Sequence, residues 1–160
     1  MIIQGIDKII NSEIGLIHTI TAILAMISGA VVILNKKGTK FHKRVGYLYV
    51  VSMVLLNVTS FFIISFGGFS IFHFFAIISL LTVLGGMIPT LRRAKNWFPY
   101  HFYFMSWSVV GLYSAFWAEV GTRFVGNMQQ FWWMVALATG VTVFIGSRII
   151  NNQAKKLKLK

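Results

Sequence analysis

The sequence predicts an all-α integral membrane protein: a five-helix transmembrane bundle forming a single domain over residues 1–160, N-terminus outside and C-terminus inside. Three observations carry that prediction. Of the 160 residues, 57% are hydrophobic and 11% charged, against about 25% charged in soluble globular domains. Five apolar segments each approach the roughly 20 residues that a helix needs to cross a hydrocarbon core about 30 Å thick. The Lys and Arg residues behind the net charge of +12 gather mostly in clusters between those segments. Charge distributed in that way marks topology and a lipid-bilayer partner, and it argues against nucleic acid.

The spans are predicted at 14–34, 45–66, 71–91, 101–119 and 128–150. The N-terminal MIIQGIDKIINSEIG holds Asp7 and Glu13 with only Lys8 for a cation, unlike the basic start of a signal peptide, so the first apolar run is read as a retained span. Gly38 is placed to stop the first helix and Thr39 to cap the second, which then begins near Lys40 and carries His42 in its first turn. A tight GGFS turn separates the second and third spans. Asn96 and Pro99 suit the start of the fourth helix and put His101 in its first turns.

Lys and Arg number five in the first connection, none in the second, three in the third and one in the fourth, with four beyond Ile150. Cationic loops favour the cytoplasmic side, which sets the orientation and predicts a multi-pass protein of the plasma (cytoplasmic) membrane. Trp97, Trp107, Trp117, Trp132 and Trp133 fall within or near the span ends, as interfacial anchoring favours. The Lys-rich tail reads as a surface for anionic headgroups.

With no cysteine in the chain, the four histidines become the main candidates for chemistry. On the predicted topology His18 and His73 lie near the outer surface, on helices 1 and 3, and His42 and His101 near the inner surface, on helices 2 and 4. The two layers are roughly 20 Å apart at 1.5 Å per helical residue. One interfacial imidazole is readily explained by water or a headgroup, but four arranged two and two ask for paired ligands. Structural zinc takes four protein ligands and catalytic zinc three, whereas a haem needs one imidazole above and one below its iron. His18 with His73, and His42 with His101, are therefore the candidate metal-ligating pairs for two haem b. Lys40, Lys43 and Arg44 beside His42 are placed to hold anionic propionates, although snorkelling to phospholipid uses the same side chains.

Stripes of small residues support a cleft: Gly15, His18, Ala22, Ala25 and Gly29 on helix 1; His42, Gly46, Tyr49, Met53 and Asn57 on helix 2; His101, Ser108, Gly111, Ala115 and Ala118 on helix 4. The same faces also serve ordinary helix packing in membranes. Tyr49, Asn57, Glu119 and Arg123 are candidate quinone or proton-handling groups, with a plain ion pair the competing reading for Glu119 and Arg123, one turn apart.

The four alternating histidines resemble those of the cytochrome b561 class of two-haem transmembrane cytochromes. The stretch GLIHTITAILAMISGAVVILNKKGTKFHKRVGYLYV is also similar to the start of a bacterial membrane-protein family of unassigned function associated with that class. Its Lys-Gly turn and His-Lys/Arg-x-Gly-x-x-Tyr motif fall here on His42, Arg44, Gly46 and Tyr49. A Trp-Met-x-Arg run after the later histidine is replaced by Phe104, Met105, Ser106 and Trp107. These observations imply electron transfer across the membrane between a quinol or other reduced donor and an acceptor at the opposite face, possible work for a quinol-linked oxidoreductase. The alternative is a metal-dependent membrane hydrolase or metal transporter with His18, His73 and Glu119 as ligands. A third is a non-catalytic membrane adaptor.

Overall fold

The computed structural model describes residues 12–63 and 69–159, with the side chains of 122–124 excepted. Five helices follow in order: α1 (Glu13–Leu34), α2 (Lys40–Ser60), α3 (Ile71–Leu91), α4 (Trp97–Phe124) and α5 (Met128–Lys156). The segment carrying Asp7, the stretch reaching Phe66, and Gly67 and Gly68 of the GGFS turn lie outside the described residues. At about 1.5 Å per residue, α1, α2 and α3 are each slightly over 30 Å long, and α4 and α5 exceed 40 Å. The last two thus extend past the predicted spans 101–119 and 128–150. Among the described residues three helices, α1, α3 and α5, are both long and apolar enough to cross a membrane.

Helix starts follow the capping chemistry of the sequence. Ser12 Oγ accepts from the Gly15 amide at 3.0 Å, Thr39 Oγ1 from the His42 amide at 3.0 Å, and Asn127 Oδ1 from the Gln129 amide at 2.9 Å. Each gives one otherwise unbonded amide of a first helical turn a partner. Asn96 differs. It sits in the left-handed region at φ 61°, and its side chain makes no capping bond.

The end of α1 corrects the sequence reading. Helix α1 stops at Leu34, four residues before Gly38, and its last carbonyls are closed by Lys37, whose Nζ donates to Val32 O at 2.8 Å and Ile33 O at 2.6 Å. Gly38, at φ +79°, serves the turn into α2 instead. Burial lowers the Lys37 pKa from 10.5 to about 8.

The residues cluster into two compact units, one ending at Leu81 and the other starting at Thr82, so that the division falls inside α3. In the first unit α1 packs on α2. The inward face of α1 is made of Gly15, Thr21, Ala25, Ser28 and Gly29, while Ile17, Ile20, Ile23 and Ile27 are exposed. Small residues inside and large apolar residues outside are what lipid permits, because aliphatic side chains gain little by leaving it and close helix approach depends on small contacts. Across from that face α2 buries Tyr49, Ser52, Met53 and Asn57.

In the second unit α4 packs on α5. Phe102, Val110, Ile150 and Ala154 form a core, joined by Tyr103, Leu157 and Leu159. The predicted α4 stripe holds only in part: Ser108 is buried, but Gly111 and Ala115 are exposed. The inward face runs instead through Phe102, Met105, Ser106, Val109, Val110 and Leu112. Large side chains there are matched by glycine opposite, since a Cβ at Gly146 would come within 2.5 Å of Val110 Cγ2.

Two outcomes are expected. Gly146→Ala should lower the thermal unfolding temperature in detergent, by an overpacking cost of about 1–3 kcal/mol, and Val110→Ala in the same chain should recover much of it. The Lys37 ammonium should also leave a pH signature: between about pH 8 and 10.5 the unfolded chain holds a proton at Lys37 that the folded chain has released, so stability should rise with pH across that window. Unfolding at pH 8 and pH 10 would measure the rise, and Lys37→Met should flatten it.

Candidate functional site

His18 lies in the second turn of α1, half-buried, with its Nδ1 3.1 Å from Thr59 Oγ1 near the end of α2. The Thr59 hydroxyl proton points back along its own helix, to Leu55 O at 2.8 Å and Leu56 O at 3.0 Å. With that proton on its own helix, the Thr59 oxygen is an acceptor for the His18 ring when Nδ1 carries the proton.

His42 opens the other end of α2. Its Nδ1 is buried, while Lys40, Lys43 and Arg44 around it are exposed. From His42 to Thr59, the partner of His18, α2 advances 59 − 42 = 17 residues, about 25 Å. His42 and the partner of His18 thus stand near opposite ends of α2. The three cations stand at the positive end of the α2 dipole, where each costs about 0.3–1 kcal/mol unless an anion faces it.

His73 is placed differently. It is 6% exposed and occupies the third position of α3, just after Ser70. Its Nδ1 accepts from the Ser70 amide at 3.0 Å and lies 2.9 Å from Ser70 Oγ, while the His73 amide donates to Ser70 O at 3.0 Å. This is one half of a capping box, the bond from the N-cap amide to the side chain three residues on, with imidazole in the place of the usual carboxylate or carboxamide. The Phe69 ring stacks on the imidazole at 5.2 Å and Phe61 approaches at 5.9 Å. An amide N–H directed at Nδ1 requires a lone pair there, so the neutral ring carries its proton on Nε2.

His101 stands in the second turn of α4, half-buried, and its Nδ1 donates to Gly86 O at 3.3 Å. A carbonyl only accepts, so this ring too is the Nδ1–H tautomer. The contact exists because α3 and α4 approach closely: a Cβ on Gly85 would meet the Phe104 ring at 2.8 Å, and one on Gly86 would meet Met105 Sδ at 2.8 Å. Trp97 flanks the imidazole, with ring centroids 6.2 Å apart.

Among the described residues no three His, Asp or Glu side chains gather into a metal-binding group. Glu119 is half-buried on α4, and the side chain of Arg123 lies outside the described residues. Tyr49 and Asn57, considered above as quinone groups, are buried to 0% and 4% exposure, and Asn57 Nδ2 donates to Met53 O at 2.7 Å. Both serve the α1–α2 interior.

Sequence reasoning missed Thr59, Ser70 and Gly86, the groups that set the ring protons. Ser70-x-x-His73 has the capping-box spacing, and the Gly85-Gly86 pair inside an apolar helix signals close approach; both were readable. Thr59 has no local signal, since it meets His18 only through the α1–α2 packing. In protein labelled with 15N-histidine, His18 and His101 should show protonated Nδ1 and His73 protonated Nε2. Thr59→Val should release the His18 preference alone, at a stability cost of about 1 kcal/mol for one lost hydrogen bond.

Neither a curated protein nor a solved structure matches the chain. A family model does match, over residues 15–153, and that range contains all four histidines and the described parts of α1 to α4 from Gly15 onward. The chain belongs to the predicted membrane protein family DUF2306.

Proposed function

We propose that this protein is a transmembrane electron carrier that binds haem b through its histidines, with all five helices crossing the bilayer, the N-terminus outside and the C-terminus inside. The observation that carries the reading is the oxygen set against Nδ1 of both His18 and His101. A metal-bound imidazole characteristically donates its second ring N–H to a nearby acceptor, which fixes the ring and raises the basicity of the ligating nitrogen. Thr59 Oγ1 and Gly86 O supply that acceptor. The residues at these two positions therefore fit the group.

On this reading His42 and His101 serve an inner haem, and His18, with His73 as the partner expected from the sequence, an outer one. Lys40, Lys43 and Arg44 hold the inner propionates, which supply the anion that their place at the start of α2 calls for. His73 does not fit as it stands, because a ligating Nε2 needs Nδ1–H and the Ser70 amide occupies Nδ1. Bound haem supplies the one-electron chemistry, and the chain sets its position, axial ligation and shielding from water. Donor and acceptor are read as a quinol or another reduced carrier and an acceptor at the opposite face.

Purified protein should show a b-type spectrum that changes on reduction with dithionite. Haem content should fall in His18→Ala and His101→Ala, and in His42→Ala by loss of the inner haem. Colourless protein, or zinc by elemental analysis in its place, would reject the reading.

A further inference from the structure

The turn between α3 and α4 carries Arg92, Arg93 and Lys95, all exposed. An apolar groove of about 200 Å³ lies between the same two helices, lined by Thr82 of α3 and by Tyr103, Phe104 and Trp107 of α4. We propose that turn and groove form one binding site for an anionic phospholipid, with the phosphate held by the three cations and an acyl chain laid in the groove. The site belongs wholly to the second unit, and it stands independently of the haem reading.

Charge is the first support. The acidic residues of the chain are Asp7, Glu13 and Glu119, and Glu119 lies toward the opposite end of α4 from the turn. The three cations therefore have no carboxylate beside them in sequence. Their backbone is also well defined. At the end of α3, Arg93 N–H donates to Thr90 O at 3.3 Å and Ala94 N–H to Pro89 O at 3.0 Å, the closure that sets the residue after the cap in the left-handed region. Arg93 takes that conformation at φ 48°, so a cation occupies a position where glycine is usual. Helix α3 is long and apolar enough to cross a membrane. Residues just past its end stand at the level of the headgroups, where each Lys or Arg attracts anionic lipid by about 1 kcal/mol.

Length is the second. Thr82 lies 92 − 82 = 10 residues before Arg92, about 15 Å at the helical rise, and one leaflet is half of a hydrocarbon core about 30 Å thick. A chain whose phosphate rests on the turn thus reaches along the groove to Thr82. The Phe104 wall is seated on Gly85, where a Cβ would come within 2.8 Å of the ring. A neutral isoprenoid would suit the groove alone. The cations at its end select an amphiphile with an anionic head.

Trp107 lines the groove and is 40% exposed, so its fluorescence reports an acyl chain lying there. The purified protein is reconstituted in phosphatidylcholine vesicles doped with brominated phosphatidylglycerol or brominated phosphatidylcholine, and the Trp107 signal is taken by difference from Trp107→Phe. Brominated phosphatidylglycerol should quench it at a mole fraction at least about tenfold lower than brominated phosphatidylcholine. Each of Arg92→Gln, Arg93→Gln and Lys95→Gln should cut that preference by up to about fivefold, the equivalent of about 1 kcal/mol per cation, and the triple variant should abolish it. Thr82→Phe, which fills the groove, should weaken quenching by both lipids. Equal quenching by the two lipids in the wild type overturns the proposal, as does a preference that the triple variant leaves unchanged. A neutral short-chain quinone that displaces the brominated lipid as well as phosphatidylglycerol does assigns the groove to the quinone and overturns it too. The three cations are exposed, so their variants decide the matter if Thr82→Phe fails to fold.

Discussion

A neutral imidazole has a single proton to divide between two nitrogens, and that constraint decides what each histidine of this protein can do. Hydrogen-bond acceptors at His18 and His101 draw the proton to Nδ1. At His73 a backbone amide drives it away. The three rings look equivalent in sequence and differ only in their neighbours, yet the difference separates nitrogen donors suited to a metal from a helix cap. The proton positions of these rings therefore depend on three inconspicuous groups: a threonine hydroxyl, a serine amide and a glycine carbonyl.

Those neighbours depend in turn on how helices meet in lipid. With large aliphatic side chains turned outward on α1, the interior is left to Gly15, Thr21, Ala25, Ser28 and Gly29. Hydroxyls inside such a face return their protons to their own helix, as Ser28 does with Leu24 O and Thr21 with Ile17 O. Thr59 does the same, and this is why its oxygen is an acceptor for His18. A polar group buried among helices is here made one-sided by its own backbone.

Much of the fold was legible because it is written locally. Apolar length gave the helices, and the Thr39 cap gave the start of α2. The end of α1 was misread because Gly38 is conspicuous, whereas a lysine folding back onto carbonyls depends on the path of the following turn. The α4 face was misread past Ser108 because small residues were taken as the inward ones. In the second unit Gly85 and Gly86 of α3 and Gly146 of α5 make room for Phe104, Met105 and Val110, so this stretch of α4 can present large side chains instead. The four histidines were visible at once, but their proton positions were not: of the partners involved, only Ser70 is a near neighbour in sequence.

Helix α5 illustrates how few fixed points a lipid-bathed helix needs. Nearly all of its apolar length is uncovered by protein, with Trp133, Leu137, Val141 and Phe144 among the exposed side chains. Among the contacts that hold it are Phe131 and Met134 against Gly121, Gly146 against Val110, the Ile150 and Ala154 contacts with Phe102, and the Trp117 indole donating to Thr142 Oγ1 at 3.1 Å. A slide of one residue would drive a side chain into the Val110 methyls, so the register is keyed even though the grip is slight. Such a helix can detach as a unit but cannot creep, and its departure would uncover the aromatic flank of α4 to hydrocarbon.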